Sequence, residues 1–246
     1  MSKKTAKTKT VSSKTESPEK QLTDTIRSLS ARHGLNHVFT TFLEVTALCL
    51  SIEVDPMSKS ERLSRYEEIM TGMAPEDSME YARMCALLYM ATTMSADEPR
   101  DILGEIYMNL NLSNEWNGQF FTPDNICRMM GMIVGTPDPE TIREQGGITI
   151  NEPCCGSGAM VLGYAYAMKK AGLDYTDKVL FVAQDIDIRC VWMAYIQFWL
   201  YKIPAVVIHG NSLTEEEWSR WYTPYVSCVQ TSGSVDMQPD AEAAVV

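Results

Sequence analysis

The sequence predicts an α/β protein in which an open parallel sheet is preceded by an all-α segment. Three observations carry this. Up to about residue 110, apolar residues recur at three- and four-residue spacings; beyond Asn111, short apolar runs alternate with helical stretches; and the first such run ends in a glycine-rich turn. Alternation of that kind builds βαβ units, hence parallel strands with helices on both faces. Only three strands are legible, so the sheet is expected to stop short.

Residues 1–20 hold six lysines against Glu16 and Glu19 and almost nothing to bury, which predicts a mobile basic tail, either solubilising or touching nucleic acid. The helical segment, 21–115, opens with a helical pattern over 21–54 that breaks near Gly34, and continues with helices over 58–70, 77–94 and 101–110. The stripe of Met79, Met84 and Met94 reads as adaptable core packing. A second unit, 116–231, starts a helix at Pro123 that stops at Gly135. Strands over 148–151, 179–183 and 205–208 then alternate with helices over 158–171 and 188–201. A short helix over 215–221, one weak strand over 226–231 and a disordered tail over 232–246 complete the expectation.

Composition narrows the class. Apolar residues make up 45% and charged residues 22%, with no uncharged apolar run long enough to span a bilayer. Lys3, Lys4, Lys7 and Lys9 lead into a polar stretch and not an apolar leader, so the expected location is cytoplasmic. Seven cysteines without a C-x-x-C pair indicate neither a disulfide framework nor a zinc knuckle. The formal charge is −11; removing the +4 of residues 1–20 leaves −15 for the rest. So acidic a body grips a nucleic-acid backbone poorly by itself, and any DNA has to be held by a partner or a local basic patch.

The chemistry concentrates at the ends of the three strands. Asn151-Glu152-Pro153-Cys154-Cys155-Gly156-Ser157-Gly158 lies between a strand and a helix, where open α/β sheets bind ligands. Its glycines admit a close backbone approach, while Glu152 repels a pyrophosphate and suits an ammonium. Asp185, 29 residues after Gly156, stands where an acid binds ribose hydroxyls; Asp187 reads as a helix cap. After the third strand, the amide of Asn211 can pair with an adenine edge. An ammonium site, a ribose site and an adenine site together describe S-adenosylmethionine.

In these residues the chain resembles the N6-adenine DNA methyltransferases of the gamma arrangement, particularly the modification subunits of type I restriction-modification systems. Gly118-Gln119-Phe120-Phe121-Thr122-Pro123 is similar to that family's segment at the methionine end of the cofactor, and 152–158 to its acidic-Pro-x-Cys-Gly-Ser-Gly loop. Asp185 matches the ribose-binding acid, and Asn211 stands where Asp is more frequent. The resemblance implies a Rossmann-like, S-adenosylmethionine-dependent fold with a helical segment ahead of it. It also implies Phe121, Thr122, Pro123, Glu152, Cys155, Gly156, Ser157, Gly158, Asp185 and Asn211 around the cofactor, and adenine methylation in a restriction-modification or mobile-element setting.

One part of the family pattern is missing. The catalytic Asn/Asp-Pro-Pro-aromatic motif, whose side chain and carbonyl accept hydrogen bonds from the target amino group, has no counterpart, because the chain holds no Pro-Pro pair. Thr223, Pro224 and Tyr225 are the nearest candidates, and the simpler reading makes them a turn. A catalytically inactive or split module that needs a partner chain is therefore the alternative. DNA, reached through a partner or specificity subunit, is the expected macromolecule; neither a membrane nor a metal is expected. His33 and His37 flank Gly34 without further ligands, Cys154 and Cys155 lack a basic partner, and Trp192 and Trp199 read as core.

Overall fold

The computed structural model describes residues 16–112, 121–136, 138, 140, 142, 144 and 147–229. Trp116, Gly118 to Phe120, most of the basic tail and the tail over 232–246 lie outside them. Helices α1 (Pro18–His33), α2 (Leu35–Ser51), α3 (Lys59–Thr71), α4 (Pro75–Met94) and α5 (Ile102–Asn109) form the helical part. Helix α1 takes up residues 18–20, which were expected in the tail. The Ser17 side chain accepts the Lys20 N–H at 3.3 Å and Pro18 fills the first helical position, so the helix starts there.

Helix α6 (Asp124–Val134) follows Pro123 and stops at Gly135. Then come β1 (Ile148–Glu152), α7 (Ala159–Lys170), β2 (Val179–Asp185), α8 (Ile188–Leu200), β3 (Ala205–Asn211), β4 (Glu216–Tyr222) and a 3₁₀ turn over Val226–Cys228. The strands lie in the order β1-β2-β3-β4; the first two pairs are parallel and β4 runs antiparallel to β3.

Four expectations are corrected here. Of the methionine stripe expected in the core, Met84 is buried, whereas Met79 and Met94 are exposed on α4. Residues 215–221 are not a helix: Trp218, Trp221 and Tyr222 have helix-like spacing, but 216–222 pair with β3 as a hairpin partner and bury Trp221 against Tyr195. The weak strand at 226–231 is a 3₁₀ turn over 226–228, with 230 and 231 outside the described residues. Helices do not flank the described sheet on both faces. Both crossovers step the same way, from β1 to β2 to β3, and right-handed connections then put α7 and α8 on one face. The other face, with Leu180, Val206 and Ile208, packs against Tyr222, Val226 and Val229.

One core runs through both parts of the chain. It joins Phe42 and Leu43 of α2, Leu88 of α4, Phe181 of β2 and Tyr195 and Phe198 of α8, all fully buried. Trp192 belongs to it and Trp199 packs against it, as their spacing implied. Among the described residues, no helix is long and apolar enough to cross a membrane.

Helices α6 and α7 touch backbone to backbone. A Cβ on Gly163 would lie 2.5 Å from the Cys127 carbonyl carbon and oxygen, and one on Gly131 would lie 2.5 Å from the Gly163 oxygen. Gly163→Val must force the helices apart, and the expected loss is about 2–3 kcal/mol, read as a lower denaturation midpoint. An unchanged midpoint would mean that α6 is not held by this contact.

Candidate functional site

The glycine loop is locked to the carboxyl ends of β1 and β2. Cys155 N–H donates to Gln184 O at 2.8 Å and Gly158 N–H to Cys155 O at 2.8 Å, so the chain folds back over the end of β2 before entering α7. Gly156 (φ 54°) and Gly158 (φ 93°) occupy left-handed backbone conformations that glycine adopts without strain. A Cβ on Gly158 would also meet the Phe198 ring at 2.6 Å.

Asp185 is the hinge pin of the site. Its Oδ2 accepts the Gly156 N–H at 2.9 Å and its Oδ1 accepts the Asp187 N–H at 2.9 Å. Each oxygen keeps a second lone pair for a ligand hydroxyl. Burial pushes this carboxyl above its ordinary range, against the pull of the two amide donors. Asp187 caps α8 as expected, accepting the Arg189 N–H at 2.9 Å and pairing with the Arg189 guanidinium.

The other expected residues are distributed around this pair. Glu152, at the end of β1, accepts the Cys154 N–H at 3.3 Å and is only partly buried. The Phe121 ring sits over Gly156, where a Cβ would be 3.2 Å from it, and packs on Tyr107 with ring centroids 5.0 Å apart. Thr122 and Pro123 follow Phe121 into α6. They line a cavity of about 580 Å³ with Asp101, Glu105, Met108 and Asp124. Asn211 ends β3 and uses its side-chain oxygen to accept the Leu213 N–H at 3.0 Å. Beside it, Cys154 Sγ approaches Ser212 Oγ at 3.8 Å, tying the glycine loop to the end of the third strand.

Thr223, Pro224 and Tyr225 are elsewhere. Thr223 is buried at the start of β3, donating to Ile203 O at 2.8 Å and accepting the Ala205 N–H at 2.9 Å, while Asn211 is at the strand's other end. Thr223 therefore ties the open end of the β3–β4 hairpin, and the fold does not bring it to the glycine loop. Burial pushes the Cys155 thiol well up, which keeps it protonated beside the loop. His33 Nε2 meets Asp77 Oδ2 at 2.8 Å, and no cluster of possible metal ligands exists among the described residues.

Two polar residues behind the loop escaped the sequence reading. Asp101 caps α5 by accepting the Gly104 N–H at 2.8 Å, and also accepts the Ser157 hydroxyl and the Gln197 amide, the latter at 2.9 Å. Gln197 Nε2 donates in addition to Ser157 O at 2.9 Å, and its Oε1 accepts the Leu103 N–H at 3.0 Å. All three side chains are buried, and burial raises the Asp101 carboxyl above its ordinary value. The signal for Gln197 was its position as the single amide in the apolar run 190–200.

Residues 98–235 match the family model described as N-6 DNA Methylase. Comparison with curated proteins returned no match. Among solved structures, the chain is similar to the methyltransferase subunit of a type I restriction-modification system from Streptococcus thermophilus. Sequence identity is 15% and the TM-score 0.42, over 82% of this chain and 59% of that subunit. The described chain thus spans less than two thirds of that subunit's length. The family match covers more than half of the 246 residues and contains the glycine loop, Asp185 and Asn211, and on that ground the chain belongs to the N-6 DNA methylase family.

Proposed function

We propose that this chain binds S-adenosylmethionine at the carboxyl ends of β1, β2 and β3 and serves DNA adenine-N6 methylation in a restriction-modification or mobile-element system. The observation that carries the reading is the Asp185 carboxylate, held to the glycine loop by the Gly156 N–H at 2.9 Å with a lone pair free on each oxygen. The donor set fits the ligand. Glu152 would accept from the ammonium, Asp185 from the ribose hydroxyls, and Asn211 would pair with the adenine edge, with Phe121 and Cys155 packed beside the loop. When bound, the cofactor supplies a methyl group on a sulfonium for transfer to an adenine amino nitrogen. The protein's share is to hold and orient it. Calorimetry with S-adenosylmethionine and S-adenosylhomocysteine tests this; no heat with either at millimolar ligand overturns the reading.

A second reading, a cofactor-binding module that is inactive alone or part of a split enzyme, rests on Thr223. Its hydroxyl is consumed by Ile203 O and Ala205 N–H, and no other acceptor pair of the family's kind stands at the strand ends among the described residues. The net charge of −11 adds weak affinity for duplex DNA. The isolated protein is therefore expected to bind cofactor without making N6-methyladenine in a radiolabelled-methyl assay on adenine-rich duplex and single-stranded DNA. Clear incorporation, lost in Thr223→Ala or Tyr225→Ala, would refute it. DNA would then be reached through a partner or specificity subunit.

A further inference from the structure

Three large apolar side chains stand in the open at the carboxyl ends of the strands. Ile186 after β2, Leu213 after β3 and Trp218 in β4 are 60, 93 and 51% exposed, whereas β2 and β3 are buried for most of their length. Ile186 and Leu213 lie in loops, where exposure is ordinary. Trp218 lies in a strand, and its exposure has a specific cause. The register of the β3–β4 pair shifts between His209 and Gly210: His209 faces Ser219 and Gly210 faces Glu217, so Trp218 is the extra residue of a β-bulge. Gly210 lets the strands close there, since a Cβ on it would lie 2.1 Å from the Glu216 carbonyl oxygen. The same end of β4 is tied to β2 by Gln184, whose Nε2 donates to Glu216 O at 3.3 Å.

A bulge re-aims a side chain, and here it sets the indole nearly perpendicular to the His209 ring, with centroids 4.8 Å apart and an interplanar angle of 78°. His209 is the link to the cofactor end of the sheet. It pairs with Asp185 in the β2–β3 register, and its ring hydrogen-bonds the Ile186 backbone. Burial lowers its pKa against the pull of Asp187 and Asp185, so near neutrality the ring is uncharged. Trp218 thus stands one ring away from Asp185, on the strand beside the one that ends in Asn211. A nucleoside whose hydroxyls meet Asp185 and whose base edge meets Asn211 carries its base through this space.

We propose that the Trp218 indole is the aromatic platform for the adenine ring of the bound cofactor, a specificity-determining contact supplied by the antiparallel strand β4 and not by the parallel strands. The inference rests on the cofactor reading. A base and an indole offer each other flat apolar faces, and stacking removes both from water. Charge around the indole then selects among base-bearing ligands. Glu215, Glu216 and Glu217 precede it, and Arg220, which follows, pairs with Glu217 at 2.6 Å. The phosphate of a nucleotide or a nucleic acid is repelled there, whereas the adenosyl group of S-adenosylmethionine carries no phosphate.

The test is titration of S-adenosylhomocysteine into the full chain and its Trp218→Ala and Trp218→Phe variants, followed by calorimetry and by tryptophan fluorescence. Base–aromatic stacking predicts binding about five- to 150-fold weaker in Trp218→Ala, and within about threefold of the wild type in Trp218→Phe, which keeps a π-face. The ligand should quench part of the wild-type emission, and that part should be missing in Trp218→Phe although its affinity persists. A merely structural role would not divide the two readouts. Trp218→Thr, which keeps strand preference without an aromatic face, takes the place of Trp218→Ala should the latter lower the melting temperature. Binding by the wild type with equal affinity in the variant lacking an aromatic ring removes this inference and leaves the cofactor reading standing. No binding by the wild type removes the cofactor reading and this inference with it. Quenching of Trp218 by single-stranded DNA and not by S-adenosylhomocysteine would assign the indole to a nucleic-acid base and overturn the proposal.

Discussion

On the proposed reading, Asp185→Ala is expected to weaken binding of S-adenosylmethionine at least about tenfold, because each lost hydrogen bond from a hydroxyl to a carboxylate contributes about 1.5–3 kcal/mol. The carboxylate has a second task, since it holds the Gly156 and Asp187 N–H groups at 2.9 Å. Removing it therefore loosens the glycine loop as well as the ribose site. Asp185→Asn keeps one acceptor oxygen and should fall between the two. The pH dependence has a definite sign. The ionised form is the acceptor, and burial raises the pKa above the ordinary aspartate value of 3.8, so affinity declines on acidification from a higher pH than an exposed aspartate would dictate. Calorimetry across pH on variants with unchanged near-ultraviolet dichroism decides it. Equal affinity in Asp185→Ala would mean that the ribose lies elsewhere.

The placement of the candidate residues was legible because each signal was local. Pro123 and Gly135 delimit α6, Gly34 separates α1 from α2, and Glu152, Asp185 and Asn211 all fall at strand ends read from short apolar runs. Strand β4 was not legible, since Trp218, Trp221 and Tyr222 satisfy a helical spacing and only pairing with β3 decides otherwise. The single-sided helix layer follows from strand order, which no local pattern encodes. Asp101 stands at the start of the helix expected over 101–110, where it caps α5. Its bonds to Ser157 and Gln197 cross 56 and 96 residues and exist only in the folded chain.

Those long-range bonds make Asp101→Ala the most damaging substitution for stability. It strands the Ser157 hydroxyl, one Gln197 N–H and the Gly104 N–H, each of which costs about 1–3 kcal/mol when left unpaired; access from the adjoining cavity and local relaxation leave an expected loss of about 2–4 kcal/mol. Asp101→Asn retains the shape and an acceptor for Gly104 or Gln197, and should lose much less. The two also differ in pH response. Burial raises the Asp101 pKa in the folded state above the 3.8 of an ordinary aspartate, so between those two values the native protein binds the proton that the unfolded chain releases. Across that window the stability of the wild type rises, relative to Asp101→Asn, as pH falls. Denaturant titrations of the three proteins from neutral to acidic pH measure both effects. A loss under about 1 kcal/mol in Asp101→Ala, or a difference between wild type and Asp101→Asn that does not move with pH, would show that the carboxylate does not hold the glycine loop against α5 and α8.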